Sequence, residues 1–274
     1  MKTWLITGAS SGLGLHMTTQ LLARGDRVVA CGRRTAPFDA LRPAAGDRLR
    51  VACFDMTDTE ALRREVDAAF AALGRIDTVV SNAGYGLFGA AEEVSDAQIA
   101  RQIATNLTGS IQLVRAVLPH LRAQGGGRIL QVSSEGGQTT YPGFSLYHAT
   151  KWGIEGFLDA VAQEVAPFGI DVVIAEPGPT DTGFGGGLDH ATPLPDYAAT
   201  PAGDVRRAII DGGFDIRGDA ERTAAAMLQV ADMASPRRRI ALGSLAYANI
   251  RRALDARLDD LHAQQALTLS ADRT

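Results

Sequence analysis

The feature that most narrows the fold is a rhythm along the chain. Seven short apolar runs alternate with longer amphipathic stretches: TWLIT (3–7), RVVAC (27–31), LRVACF (49–54), DTVVS (77–81), RILQVS (128–133), DVVIAE (171–176) and RIALG (239–243). The runs are continuous in apolar character, as strands buried on both faces of a parallel sheet require. Helical patterns fill the intervals at roughly 13–24, 59–73, 95–123, 145–168, 219–233 and 244–262. This alternation predicts an α/β fold: a doubly wound, parallel, seven-stranded sheet with helices on both faces and right-handed crossovers. RTAPFDALRPAAGDR, between the second and third runs, is poor in helix signal, so its helix should be short or missing.

A chain of 274 residues, 46% hydrophobic and 21% charged, can bury a full core within one large domain. We expect that domain over 1–262 and a tail over 263–274. A formal charge of −4 leaves no electrostatic footprint for nucleic acid or an anionic membrane. The basic cluster Arg237–Arg239 reads as a solvated strand edge. Two cysteines, Cys31 and Cys53, make no disulfide framework, so a cytoplasmic location is expected. The opening residues do not read as a signal peptide, no run reaches the length of a membrane span, and metal-ligand spacing is absent.

TGASSGLG (7–14) follows the first strand and opens the first helix. Gly8 permits the tight turn, and Gly12 and Gly14 let backbone come close to a phosphate. A helix N-terminus here would offer free N–H groups to a pyrophosphate. Farther along, YHATK sets Tyr147 and Lys151 at i and i+4, hence on one helix face. A free phenol titrates near pH 10, too high for acid–base work at neutrality, and a nearby ammonium favours the phenolate. The chain holds only two lysines, Lys2 and Lys151, among 27 basic residues. A lysine kept in so arginine-rich a chain suits a task that needs a compact point charge.

TGASSGLG, DMTD (55–58), SNAG (81–84), the asparagine of TNLTG, VSS (132–134), YHATK and EPGPTDT (176–182) occur in the order of the short-chain dehydrogenase/reductase family. Over roughly residues 3–260 the chain resembles that family's standard-length, single-domain, Rossmann-type branch. The resemblance implies a catalytic tetrad of Asn106, Ser134, Tyr147 and Lys151. The family serine lies thirteen residues before the tyrosine, which selects Ser134 over Ser133. Tyr147 would exchange a proton with the substrate oxygen while a hydride passes between nicotinamide and carbonyl carbon. Lys151 would also bond the nicotinamide ribose, and Asn106 would hold a water in a proton relay. His148 points away around the helix and reads as a core or interface residue.

By the same resemblance the dinucleotide is held by Gly8, Ser10, Ser11, Gly12, Leu13 and Gly14 of the turn. Asp55 and Met56 would meet the adenine, and Asn82, Ala83 and Gly84 the adenosine side. Tyr147 and Lys151 would contact the ribose, and Pro177, Gly178, Thr180 and Thr182 the nicotinamide end. The second strand ends in CGRR: where NAD-preferring folds carry an acid, this chain has Gly32, then Arg33 and Arg34. That favours NADP(H), with NAD(H) possible. Ser11 stands where many NADP-linked members carry a second basic residue, so discrimination rests on Arg33 and Arg34.

Residues 178–204 are rich in glycine and proline and long for an internal connection, so 178–218 is expected to form a substrate lid. A mobile surface insert is the plain alternative. Tyr85, Phe88, Gln138, Tyr141, Phe144, Phe184 and Tyr197 are pocket candidates, each able to serve as packing instead. Together these readings predict a carbonyl reductase acting on a fairly apolar, small-molecule ketone or alcohol. An NAD-linked secondary-alcohol dehydrogenase, an epimerase or dehydratase, and a non-catalytic dinucleotide sensor are the rivals. A homodimer or homotetramer is expected through helices 95–123 and 145–168, with no nucleic-acid or membrane partner.

Overall fold

The computed structural model describes residues 1–213 and 215–273. Seven strands form one all-parallel sheet: β1 (Thr3–Thr7), β2 (Arg27–Gly32), β3 (Leu49–Cys53), β4 (Thr78–Ser81), β5 (Gly127–Val132), β6 (Ile170–Pro177) and β7 (Arg239–Leu242). Their spatial order is β7-β6-β5-β4-β1-β2-β3. The order reverses between β1 and β4, and a crevice opens there at the carboxyl ends of the strands. Each of the seven runs read from the sequence is a strand, with ends shifted by at most one residue.

Successive side chains of each strand face opposite ways, so the sheet carries two cores. On one face Trp4 and Ile6 pack with Met17 and Leu21 of α1 (Gly12–Ala23). Met227 and Leu228 of α7 (Ala220–Asp232) complete that layer. On the other face Leu5, Val79 and Ile129 meet α2 (Thr59–Leu73), α4 (Gly109–Ala123) and α5 (Ser145–Val165). The predicted helix over 95–123 is one continuous body with a change of pitch. α3 (Asp96–Gln102) passes into a π-helical turn, Ile103–Thr108, before α4. The helix-poor stretch after β2 holds two 3-10 turns and a four-residue helical turn, Arg42–Ala45, anchored by the buried Phe38. The C-terminal part carries α8 (Ser244–Ala263) and a short α9 (Gln265–Leu269), so the expected tail is partly helical.

One expectation is corrected in part. Arg239 is no solvated edge: its guanidinium reaches Asp159 at 2.7 Å and the buried carboxylates Glu155 and Glu176 at 3.3 and 3.2 Å. Arg237 and Arg238 are exposed as expected, and Arg239 alone turns in, half-buried, to these carboxylates. The Gly/Pro-rich segment, read as a lid with a mobile insert as the plain alternative, is anchored at several points. Thr180–Asp181 pairs with Gly218–Asp219, and Asp189–His190 pairs with Leu87–Phe88. Then α6 (Pro201–Ile210) follows. The buried Glu93 accepts the N–H groups of Ala90 (2.7 Å) and Leu194 (2.9 Å) and pairs with Arg206.

The loop after β5 is tied to α5 by His148, which is buried. Its Nε2 accepts the Tyr141 N–H at 2.8 Å, so its Nδ1 carries the proton and donates to the Gly136 carbonyl at 2.9 Å. This arrangement requires neutral imidazole, and burial lowers the His148 pKa from its ordinary value. A folded pKa below the unfolded one gives stability present above the unfolded value, near pH 6.5, and lost as pH falls towards the folded one. Urea unfolding of wild type and His148→Asn across pH 5–8 should show the wild-type advantage shrinking below about pH 6.5. An advantage independent of pH would contradict the neutral pin.

Candidate active site

A cleft of about 1350 Å³ runs along the carboxyl edge of the sheet, from the end of β2 past the β1–β4 crevice to the lid. Its first wall is the glycine turn. Gly8 has φ +63°, in the left-handed region that favours glycine. A Cβ on Gly14 would lie 2.3 Å from the Gly8 carbonyl oxygen and 2.6 Å from Asn82 Nδ2, so only hydrogen fits where α1 passes the turn. Ser11 begins α1 without a side-chain cap, leaving the first N–H groups of the helix to the cleft. Thr7 and Asn82 bind the two central strands together. Asn82 Nδ2 donates to the carbonyls of Thr7 (3.0 Å) and Gly8 (3.1 Å), and Thr7 Oγ1 accepts the N–H groups of Asn82 and Ala83. The cradle therefore fits a pyrophosphate: open backbone donors, no side chain in the way, and a helix dipole behind.

Of the residues expected to hold the dinucleotide, all but Gly14 and Arg34 line this cleft. Gly14 sits behind the turn it shapes. Arg33 faces the cleft near Asp55, and its charge helps hold the Asp55 carboxyl below its ordinary pKa, after the hydrogen bond from the Thr57 N–H. Arg34 does not line it.

The second wall comes from β5 and α5. Tyr147 and Lys151 occupy neighbouring turns of one helix face, as read from the sequence. Lys151 Nζ donates to the Val132 carbonyl at 3.1 Å and lies 5.6 Å from the Tyr147 ring centroid. Ser134 lies close enough to Tyr147 to favour its phenolate, and its Oγ accepts the Gly136 N–H at 3.0 Å. Ser133 turns the other way, donating to Glu155 at 2.5 Å. Asn106 is buried in the π-helical turn and does not line the cleft. Its amide clasps the backbone of Tyr85, donating to the carbonyl (2.8 Å) and accepting the N–H (3.1 Å).

The electrostatics depart from expectation. Lys151 was expected to draw the Tyr147 phenol down, yet burial raises it to about 12, with Glu135 adding to the rise and Ser134 opposing it. Burial lowers Lys151 to about 8, with Glu155 opposing. Desolvation outweighs the attraction because Lys151 is buried, Tyr147 is half-buried at the cleft wall, and the ammonium is already spent on Val132. Burial, with the nearby Glu155 charge, also raises the Glu176 carboxyl well above its ordinary range.

Four of the seven pocket candidates line the cleft: Tyr85, Tyr141, Phe144 and Phe184. Phe184 stands edge-on to Tyr147 at 5.8 Å. Three do not. Phe88 is buried beneath Phe144 at 5.1 Å. Gln138 is drawn back to Glu155. Tyr197 points outward and bonds Glu92 at 2.9 Å. The sequence reading missed Leu188, Ile209 and Ile216, apolar lid residues facing the cleft, and Arg101, which pairs with Asp189 at its mouth. It also missed Glu135 and Glu155. The signal for Glu155 was present, since it continues the four-residue spacing of Tyr147 and Lys151. Among the described residues no group of three or more His, Cys, Asp or Glu could hold a metal ion, and no helix is long and apolar enough to cross a membrane.

The chain matches the short chain dehydrogenase family over residues 2–192. It is 40% identical over 186 residues to an oxidoreductase of Botryotinia fuckeliana, covering 68% of each chain. It is 36% identical over 180 residues to a 3-ketodihydrosphingosine reductase of Bacteroides thetaiotaomicron, covering 66% of this chain and 64% of that one. A crystal structure of a short-chain dehydrogenase from Streptomyces avermitilis superposes with a TM-score of 0.92 at 35% identity, covering 99% of this chain and 100% of the other. The sheet order, the glycine turn at its switch point and these similarities lead to one assignment: the chain belongs to the short-chain dehydrogenase family, oxidoreductases that interconvert CH–OH and C=O with NAD(P)(H).

Proposed function

We propose that this chain is an NADP(H)-dependent carbonyl reductase, reversible as a secondary-alcohol dehydrogenase, acting on a fairly apolar small molecule. One observation carries the reading: Ser134, Tyr147 and Lys151 line the same cleft as the phosphate cradle, with Lys151 Nζ 5.6 Å from the Tyr147 ring centroid. The cofactor, when bound, supplies or accepts the hydride. Ser134 donates a hydrogen bond to the substrate oxygen and steadies charge there. Tyr147, protonated at neutral pH, donates its proton to that oxygen in reduction and takes it back in oxidation. Lys151 stands behind the phenol as the ribose and proton-relay partner. Asn106 acts by holding the Tyr85 backbone at the cleft wall. Tyr85, Phe144, Phe184 and Leu188 with Ile209 and Ile216 make the substrate end largely apolar. The lid over 178–218 closes that end, and similarity to a reductase of a 3-keto compound supports the ketone direction.

Arg33 is the proposed reader of the 2′-phosphate. A charge-assisted hydrogen bond contributes about 1.5–3 kcal/mol, roughly 10- to 150-fold in affinity. Fluorescence titration should show NADPH binding tighter than NADH, and Arg33→Glu should weaken NADPH by about that factor while sparing NADH. Equal affinities in wild type would move the assignment to NAD(H).

Tyr147→Phe should lower ketone reduction by about 100- to 10,000-fold while leaving NADPH titration unchanged. Comparable loss of binding would mean a structural role for the phenol.

Oxidation needs the phenolate, so its rate should rise with pH. Glu135 disfavours that anion, and Glu135→Gln should lower the Tyr147 pKa and move the rising limb to lower pH. A stopped-flow pH profile of alcohol oxidation reads the shift, and an unmoved or opposite limb would remove Glu135 from the site's electrostatics.

A further inference from the structure

The face of α8 that packs on the body does not stop where the packing stops. Ala246 and Ile250 are buried. Leu254, Leu258 and Leu261 continue the Ile250 side of the helix, yet are 48%, 51% and 58% exposed. With Tyr247, 63% exposed, these side chains fall within about 60° of one another around the axis. Every described residue from Leu258 to Arg273 is exposed, including Leu267 and Leu269 in and beside α9. A helix this free is marginal in water unless an apolar face is covered.

The charges beside the stripe indicate what covers it. A shallow groove along α8 is lined by Tyr247, Arg251, Arg252, Asp255 and Asp259 with two alanines. The flank is positive in the first half of the helix and negative in the second. Set antiparallel about a two-fold axis at Leu254, Tyr247 of one copy lies level with Leu261 of the other, and Ile250 with Leu258. In the same register Arg251 of one copy falls between Asp255 and Asp259 of the other. A parallel pair would set Arg251 against Arg251. Arg257, the remaining basic residue of this stretch, stays on its own body, 4.9 Å over the Trp152 ring of α5. The apolar stripe of α8 thus lies beside the part of α5 that carries the exposed Trp152.

We infer that two copies of this chain associate through α8, antiparallel about a two-fold axis near Leu254. Such self-complementary contacts are the commonest route to a symmetric dimer. The apolar stripe supplies the affinity and the flanking charges set the direction, since exposed ion pairs contribute little by themselves. A stable pair buries about 800 Å² on each partner, so Leu267 and Leu269 of the α9 region are drawn in beside the stripe. The inference is independent of the chemistry proposed above.

Sedimentation velocity on the full chain tests it. Wild type should be a dimer or tetramer. Leu254→Glu, which sets two carboxylates face to face on the axis, should halve the mass while the circular dichroism and melting temperature stay those of the wild type. Should that variant misfold, the charge swaps decide. Arg251→Asp alone should dissociate, and so should Asp255→Arg/Asp259→Arg. An equimolar mixture of the two should reassociate at low salt. A monomeric wild type, an unchanged mass in Leu254→Glu, or a mixture that stays apart would overturn the inference. A monomer that floats with phosphatidylglycerol vesicles would assign the stripe to a lipid surface instead.

Discussion

Three consecutive residues at the end of β5 face three successive turns of α5. The Val132 carbonyl accepts from Lys151, Ser133 donates to Glu155, and Ser134 lies beside Tyr147. A strand end and a helix face meet here in register, and the site depends on that junction. The strand is held from both sides within the sheet, by β4 and β6. The helix is held by a core in which Ile154, Leu158 and Val161 are buried. Because both bodies are rigid, the Ser134 and Tyr147 hydroxyls are placed by the fold, with no flexible loop to order first.

The same junction carries a cost. Lys151, Glu155 and Glu176 are buried charges or potential charges, and a buried ion is tolerated only where partners replace its water. Glu155 collects Ser133, Gln138 and Arg239, and Arg239 extends the network to Glu176 and Asp159 near the surface. Tyr147 is raised and Lys151 lowered by the same burial. Each is thus held closer to its neutral form than in water. The Gly/Pro-rich segment is secured in a comparable way: Glu93 ties the chain at Leu194 and Arg206.

Much of this was legible in the sequence. Continuous apolar runs mark doubly covered strands because a parallel sheet leaves no wet face, and all seven were strands. The helix pattern over 145–168 set Tyr147 beside Lys151 because an α-helix repeats nearly every four residues. The glycine turn was legible because Gly14 has no room for a side chain, a constraint that only one residue type satisfies. Pocket residues were less legible. Phe88, Gln138 and Tyr197 have the right character at plausible positions, but a side chain's direction in irregular backbone depends on which partner it meets.

The sequence by itself determined the element order, the sheet, the place of the cradle and the Tyr147–Lys151 face, because each follows from local periodicity or from a residue with no substitute. Only the tertiary structure decided that Arg33 and not Arg34 faces the cleft, that Leu188, Ile209 and Ile216 line it, and that Arg239 serves a buried acid pair. It alone decided the direction in which the phenol and the ammonium shift. These are contacts and burials between segments far apart in the chain, and neither distance nor desolvation is encoded in any one stretch of residues.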